Sequence, residues 1–267
     1  MAVRGRLRVL LGAAPGVGKT YAMLDEGKHL RAGGSDVVIA VVETHGRAAT
    51  AAMTEGMEVI PRHYVECRGI ELPEMDLDGV LAQHPDVALV DELAHTNAPG
   101  SRNEKRWQDV EELLEAGIDV ISTVNIQHIE SLNDVVEQIT GVPQRETVPD
   151  TVLRRASQVE VVDLAPQALR DRLSSGKVYP AERIDAALSN YFRLGNLTAL
   201  RELALLWVAD EVDHALADYR SEHGIDSRWE ARERVVVALT GGREGETLLR
   251  RGARTVSYTH LRAHETK

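Results

Sequence analysis

The chain has 267 residues, with 42 acids against 31 Lys and Arg for a formal net charge of -11, and only 4% of it is aromatic against 43% hydrophobic. That apolar mass suffices for one large core or two small ones, and with so few rings the core must come from Val, Leu, Ile and Ala, a palette suited to strands buried between helices. The acidic balance argues against a nucleic-acid partner, the single Cys67 excludes an internal disulfide framework, and no run approaches the roughly 20 apolar residues of a bilayer span, so the expectation is a cytoplasmic chain without direct membrane insertion.

Residues 7–11 read as a first strand. It runs straight into Gly12, Ala13, Ala14, Pro15, Gly16, Val17, Gly18, Lys19 and Thr20, ahead of a helix-compatible stretch at 21–30. A loop of this kind wraps backbone N–H groups around phosphate oxygens and sets the anion at a helix N-terminus. Gly16 and Gly18 permit the curvature, Lys19 neutralises outer phosphates and Thr20 can ligate magnesium, so ATP and Mg2+ are the expected ligands. Only the relaxed phosphate-loop pattern is met, because Ala13 occupies the position of the first glycine and Gly12 is shifted by one.

A second strand at 37–42 ends in the polar turn carrying Glu43, which could polarise water, contact substrate or simply cap the loop. A third, at 87–90, ends in Asp91 and Glu92. In phosphate-loop proteins the first such acid holds magnesium and a neighbouring glutamate orients the attacking water, which assigns Asp91 with Thr20 to the metal and Glu92 to catalysis. The loop 96–107 is polar and basic, and Arg102, Lys105 and Arg106 are either further phosphate contacts or members of a solvated loop leading into a helix at 107–116.

The fourth strand, 120–124, is followed by Asn125 and Gln127, either of which could sense a terminal phosphate, and a fifth lies at 159–162. Strands alternating with helices imply a mainly parallel sheet covered on both faces, hence a three-layer α/β fold of P-loop type with the order 5-1-4-3-2 expected by analogy. Ligands in such sheets bind at the carboxyl edge, where all these residues gather. His45, His95 and His128 fall there too and raise the alternative of a transition-metal site with Glu43 or Asp91, but none has a paired ligand spacing and hydrogen-bonding roles are preferred.

Past Leu164 the pattern turns helical. Leu197, Leu200, Ala204, Trp207, Val208, Val212, Ala215 and Tyr219 mark one face of a long helix, read as core packing. A strand-like run at 234–242 and a helix-like run at 244–253 begin a further α/β unit, while 257–267 has no apolar period and reads as a foreign end. The expected domains are 1–226, with its helical part at about 165–223, then 227–256 and the tail.

Taken together, the run at 12–20, Asp-Glu-Leu-Ala-His-Thr-Asn-Ala-Pro-Gly-Ser-Arg at 91–102, and those at 41–47, 105–120, 125–134, 145–150, 176–179 and 195–204 resemble the amino-terminal domain of KdpD-type potassium sensor kinases, over about residues 5–256. The resemblance implies an ATP-binding regulatory domain of a two-component receptor for potassium limitation and osmotic stress. In that family a universal-stress-protein-like domain, which 227–256 would begin, precedes four membrane helices and the histidine kinase module. It further implies a homodimeric parent at the cytosolic face of a membrane, whose kinase and phosphatase balance toward a response regulator the domain tunes. No kinase catalytic module is recognisable here, so at most weak ATPase activity is expected. The competing readings are a stand-alone P-loop ATPase or small-molecule phosphotransferase in which Glu92 activates a nucleophile, and a metal-binding or purely structural α/β module.

Overall fold

A computed structural model describes residues 3–175, 188 and 190–225. Residues 1–214 form one compact unit and 215–267 a second, whose described part is the end of one helix. In chain order the first unit contains β1 (Leu7–Gly12), α1 (Lys19–Ala32), β2 (Val37–Val41), α2 (Ala48–Ala52), β3 (Glu58–Val59), β4 (His63–Cys67) and β5 (Ile70–Glu74). These are followed by α3 (Leu77–Gln83), β6 (Val87–Val90), α4 (Arg106–Glu115), β7 (Asp119–Asn125), α5 (Asn133–Thr140), α6 (Asp150–Arg154), β8 (Gln158–Val162), α7 (Pro166–Ser174) and the start of a long helix, Leu194–His223.

The main sheet has the order β3-β2-β6-β7-β1-β8, and every pairing in it is parallel. Counting only the five strands expected from the sequence, it reads 5-1-4-3-2, with two-residue β3 added outside β2. Period-two alternation divides the strand residues between two cores. Leu10, Ile39, Leu89 and Ile121 join Met23 and Leu24 of α1 on one face. Val9, Val38, Val90 and Val120 face the other way, under Val110, Leu113 and Leu114 of α4, Leu77 and Val80 of α3, and Leu200, Ala204 and Trp207 of the long helix. Because both faces are covered, β2 and β6 are buried along their whole length, and their sequences are continuous apolar runs rather than alternating ones. The result is a three-layer α/β fold.

Three features depart from the sequence reading. Antiparallel strands β4 and β5 form a separate hairpin, joined at Arg68 and Gly69 with φ of 53° and 80°. Two consecutive left-handed residues are what a tight hairpin demands, but Arg-Gly lacks the Asn or Asp that normally advertises one. The long helix is core-facing only over its first half: Leu197, Leu200, Ala204 and Trp207 are buried, whereas Val212 is 60% exposed. Further along the same helix Tyr219 stacks on His223 at 4.0 Å between ring centroids. A third cluster was not anticipated. Ala14 and Val17, from the glycine-rich loop, pack with Leu169 and Leu173 of α7 and with Phe192 and Leu197.

Among the described residues no helix is long and apolar enough to cross a membrane. The stretches 176–179, 227–256 and 257–267, to which the sequence reading gave meaning, lie outside the described residues.

Candidate functional site

The carboxyl ends of β1, β6 and β7 converge on one cleft of about 570 Å³, partly open to solvent. Topology accounts for the convergence. β7 lies between β1, which feeds the glycine-rich loop, and β6, which ends at the acids, so its own end supplies side chains to both neighbours.

Beyond Gly12 the chain curls back over the strand end and enters α1 at Lys19. Gly16 and Gly18 take φ of 92° and 113°, a left-handed backbone that costs residues with a Cβ but not glycine. Gly12 answers to a different demand. A Cβ there would stand 2.7 Å from Val17 Cγ2 and 2.9 Å from Lys19 Cδ, so the close approach that needs glycine falls at 12 and not at 13. Ala13 and Ala14 instead turn into the core, which is why the shifted pattern still builds the loop. Helix α1 starts from Gly18 with no side-chain cap and no acid in its own first turn, so its first N–H groups have no capping side chain.

Lys19 is 8% exposed and its Nζ donates to Asn125 Oδ1 at 2.5 Å. Burial depresses its pKa to about 8, against the opposing pull of Asp91. Thr20 Oγ1 donates to Asp91 Oδ2 at 3.0 Å. The Asp91 carboxylate also accepts from Thr123 Oγ1 at 2.5 Å and from the backbone N–H groups of Glu43 and Glu92, both at 3.2 Å. Burial nonetheless pushes its pKa above the usual carboxylate range, with the Thr123 hydrogen bond opposing.

Glu92 adopts φ 57°, an uncommon backbone for a non-glycine residue, which turns its N–H back toward Asp91 Oδ1 and toward Thr123 Oγ1 at 3.1 Å. Its carboxylate pairs with His45 Nε2 at 3.1 Å. Burial would raise the Glu92 pKa, but the hydrogen bond and charge of His45, aided by Arg106 and His95, outweigh it and hold Glu92 below its ordinary value. The same bond raises His45. His128 borders the cleft, and its Nδ1 donates to the Glu146 carbonyl at 2.7 Å, which leaves Nε2 as the acceptor. Burial keeps its pKa low.

Other candidates are engaged elsewhere. The Glu43 carboxylate turns to Arg62 at 2.8 Å, so only its backbone N–H reaches Asp91. Gln127 is buried, donates to Gln144 Oε1 at 3.0 Å and accepts from the Tyr191 hydroxyl, while Asn125 and His128 border the cleft. Arg102 sits between Asp78 at 2.8 Å and Glu112 at 2.6 Å and does not line the cleft. Arg106 corrects the sequence reading more sharply. It is 1% exposed, donates to the Asp91 carbonyl at 3.0 Å and lies 3.5 Å from Glu74, so it is an internal support and not a phosphate contact. Lys105 donates to Thr96 Oγ1 at 2.7 Å. The histidines are spread over separate partners, Glu92 for His45, Glu74 for His95 and the Glu146 carbonyl for His128. No group of three or more His, Cys, Asp or Glu among the described residues is arranged to hold a metal.

The residue that sequence reasoning missed is Thr123. Its signal was available: Ser122 and Thr123 are polar residues within an otherwise apolar buried strand, and buried hydroxyls must find partners. Ser122 Oγ donates to the Val90 carbonyl at 2.6 Å and Thr123 to Asp91, so both brace the end of β6.

Residues 3–212 match the family described as "KdpD: Osmosensitive K+ channel His kinase sensor domain". The chain is similar to Sensor protein KdpD of Mycobacterium tuberculosis strain H37Rv, 66% identical over 254 residues that make up 95% of this chain and 30% of that protein. The protein of the same name from Rathayibacter rathayi is 70% identical over 241 residues, 90% of this chain and 28% of the relative. That of Escherichia coli K12 is 53% identical over 254 residues, 95% and 28%. The chain thus spans under a third of the length of these curated relatives.

Proposed function

The chain belongs to the KdpD family of osmosensitive K+ channel histidine kinase sensor domains, and from that premise we propose that it is the Mg-ATP-binding regulatory part of a larger two-component sensor. One observation carries the reading. A buried lysine at the start of a helix, the threonine after it and a buried aspartate on another strand meet at one cleft, with Thr20 Oγ1 3.0 Å from Asp91 Oδ2. Two buried groups fit the expected ligand. Lys19 holds an ammonium where burial opposes it, and Asp91 a carboxyl whose charged form is likewise disfavoured. A phosphate chain beside the first and a divalent cation beside the second would relieve both.

In this reading the loop amides and the open end of α1 bind the phosphates, Lys19 balances their charge, and Thr20 with Asp91 holds the magnesium. A bound metal would supply neutralisation of the phosphate charge. Asn125 Oδ1 orients the Lys19 ammonium, and Thr123 fixes the Asp91 carboxylate. Of the two residues expected to sense a terminal phosphate, Asn125 borders the cleft and has its amide Nδ2 to donate, whereas Gln127 is engaged elsewhere. Occupancy would then be felt by α7 and the long helix through the apolar contacts of Ala14 and Val17. That coupling requires the nucleotide to bind two conformations with different affinity. The wider setting, a homodimeric receptor at the cytosolic face of a membrane responding to potassium limitation or osmotic stress, is part of the same proposal. So is control of its kinase and phosphatase balance toward a response regulator.

A second reading, a stand-alone ATPase or phosphotransferase, has one observation in its favour. Glu92 is a cleft carboxylate held ionised by His45, which suits orienting a water more than abstracting a proton. Binding with little turnover supports the sensor, and steady turnover onto a defined acceptor supports the enzyme. The deciding measurement for the site is a calorimetric titration of Mg-ATP into the wild type, Lys19→Ala and Asp91→Asn. We expect the first variant to lose binding and the second to lose its magnesium dependence, and equal affinity in wild type and Lys19→Ala would defeat the assignment.

A further inference from the structure

Beside the cleft, sharing part of its lining, lies a second hollow of about 370 Å³, bordered by Gly16, Gly18, Lys19, Thr20, Tyr21, Arg47, Thr50 and Arg172. Its chemistry is unlike that of the molecule as a whole. In a chain with a formal charge of -11, the described residues that border this hollow include three cations, Lys19, Arg47 and Arg172, and no carboxylate. Cations gathered at one hollow make a local field complementary to an anion.

Arg172 is the informative member. It belongs to the last turn of α7, and its Nη1 lies 3.7 Å from the position a Cβ on Gly18 would take, directly over the phosphate loop. Its guanidinium makes no ion pair or hydrogen bond with another described residue. Solvated surface arginines are common, but this one is held against the loop from a different part of the fold by Leu169 and Leu173, which anchor its helix to Ala14 and Val17.

The two hollows share Gly16, Lys19, Thr20 and Arg47, so phosphates crossing the loop would reach from one into the other. Their ends differ. Asp91, Glu92 and Glu146 line the first, where a divalent cation would be needed to offset their charge beside an anion. The second offers cations and an aromatic ring, Tyr21, which is 45% exposed. We infer that the second hollow is the nucleoside end of the site: Arg172, with Arg47, binds the inner phosphate of a nucleotide, and the Tyr21 ring presents a flat apolar face to its sugar or base. This rests on the nucleotide-binding reading above and adds to it the direction in which the ligand lies. It also ties the ligand directly to α7.

The test is calorimetric titration of the full chain with Mg-ATP and, separately, with Mg-tripolyphosphate, for wild type, Arg172→Ala, Arg172→Lys and Tyr21→Ala, with thermal midpoints showing that each variant folds as the wild type does. Arg172→Ala is expected to weaken Mg-ATP about tenfold, as for loss of one charge-assisted contact, and Arg172→Lys to restore part of it. Tyr21→Ala should weaken Mg-ATP about three- to tenfold and leave tripolyphosphate within about twofold, because only the nucleoside meets the ring. If both alanine variants bind Mg-ATP like the wild type while Lys19→Ala does not bind it, the inference falls and the phosphate-loop reading stands. If the wild type binds neither ligand, both fall.

Discussion

Replacing Lys19 by methionine, similar in length and apolar, separates the needs of folding from those of binding. The lysine pKa falls from 10.5 to about 8 in the folded chain because the ammonium is buried, which corresponds to a folding penalty of about 3 kcal/mol. The folded state disfavours the protonated form, so the penalty is fully present below pH 8 and fades as the pH rises from 8 to 10.5. Methionine removes it and forfeits the hydrogen bond to Asn125 Oδ1, a loss of about 1 to 2 kcal/mol. The variant should therefore be more stable than the wild type by about 1 to 2 kcal/mol at pH 7, a rise of about 2 to 8 °C in midpoint for a unit of this size. Thermal or urea unfolding from pH 7 to 10 is the assay. The wild type should gain stability across that range, and the variant should not gain the part due to Lys19. Mg-ATP should raise the wild-type midpoint only. A variant that melts below the wild type at pH 7 with an unchanged pH dependence would refute the buried-charge reasoning.

Two further outcomes can be measured directly. At pH 8 the free Lys19 is about half protonated, so binding Mg-ATP should take up about half a proton, and that contribution should vanish at pH 6 where the lysine is already charged. Titrations in buffers of different ionisation enthalpy read this out, and buffer-independent heats at pH 8 would contradict it. Arg106→Met should cost about 3 kcal/mol in urea unfolding, since it strips a buried partner from Glu74 and from the Asp91 carbonyl. Combining it with Glu74→Gln should cost less than the sum of the single changes, and strict additivity would show that the two side chains act independently.

How much of this was legible follows from where the information sits. Strands β2 and β6 declare themselves because strands covered on both faces are continuous apolar runs, and Lys19, Thr20 and Asp91 declare themselves because their pattern is local to a strand end. Direction was harder to read. Directly after β7 the chain makes a 3-10 turn, Ile126–His128, which buries Gln127 and leaves His128 on the cleft, and residue order alone does not say which neighbour turns inward. Arg106 was recoverable, because it shares the inner face of α4 with Asp109, Val110 and Leu113 at helical spacing, but a positive charge invites a surface assignment. The β4–β5 hairpin gave little warning, its strands being half-exposed and its turn lacking the usual residues.

The apolar cluster beneath the glycine-rich loop decides where this fold can be cut. Ala14 and Val17 have their undersides sealed by side chains as distant in sequence as Phe192 and Leu197. A fragment trimmed after the last strand of the sheet would keep every residue of the Lys19–Asp91 constellation and yet leave the loop resting on water. The smallest piece able to hold the loop in shape must therefore extend into the long helix.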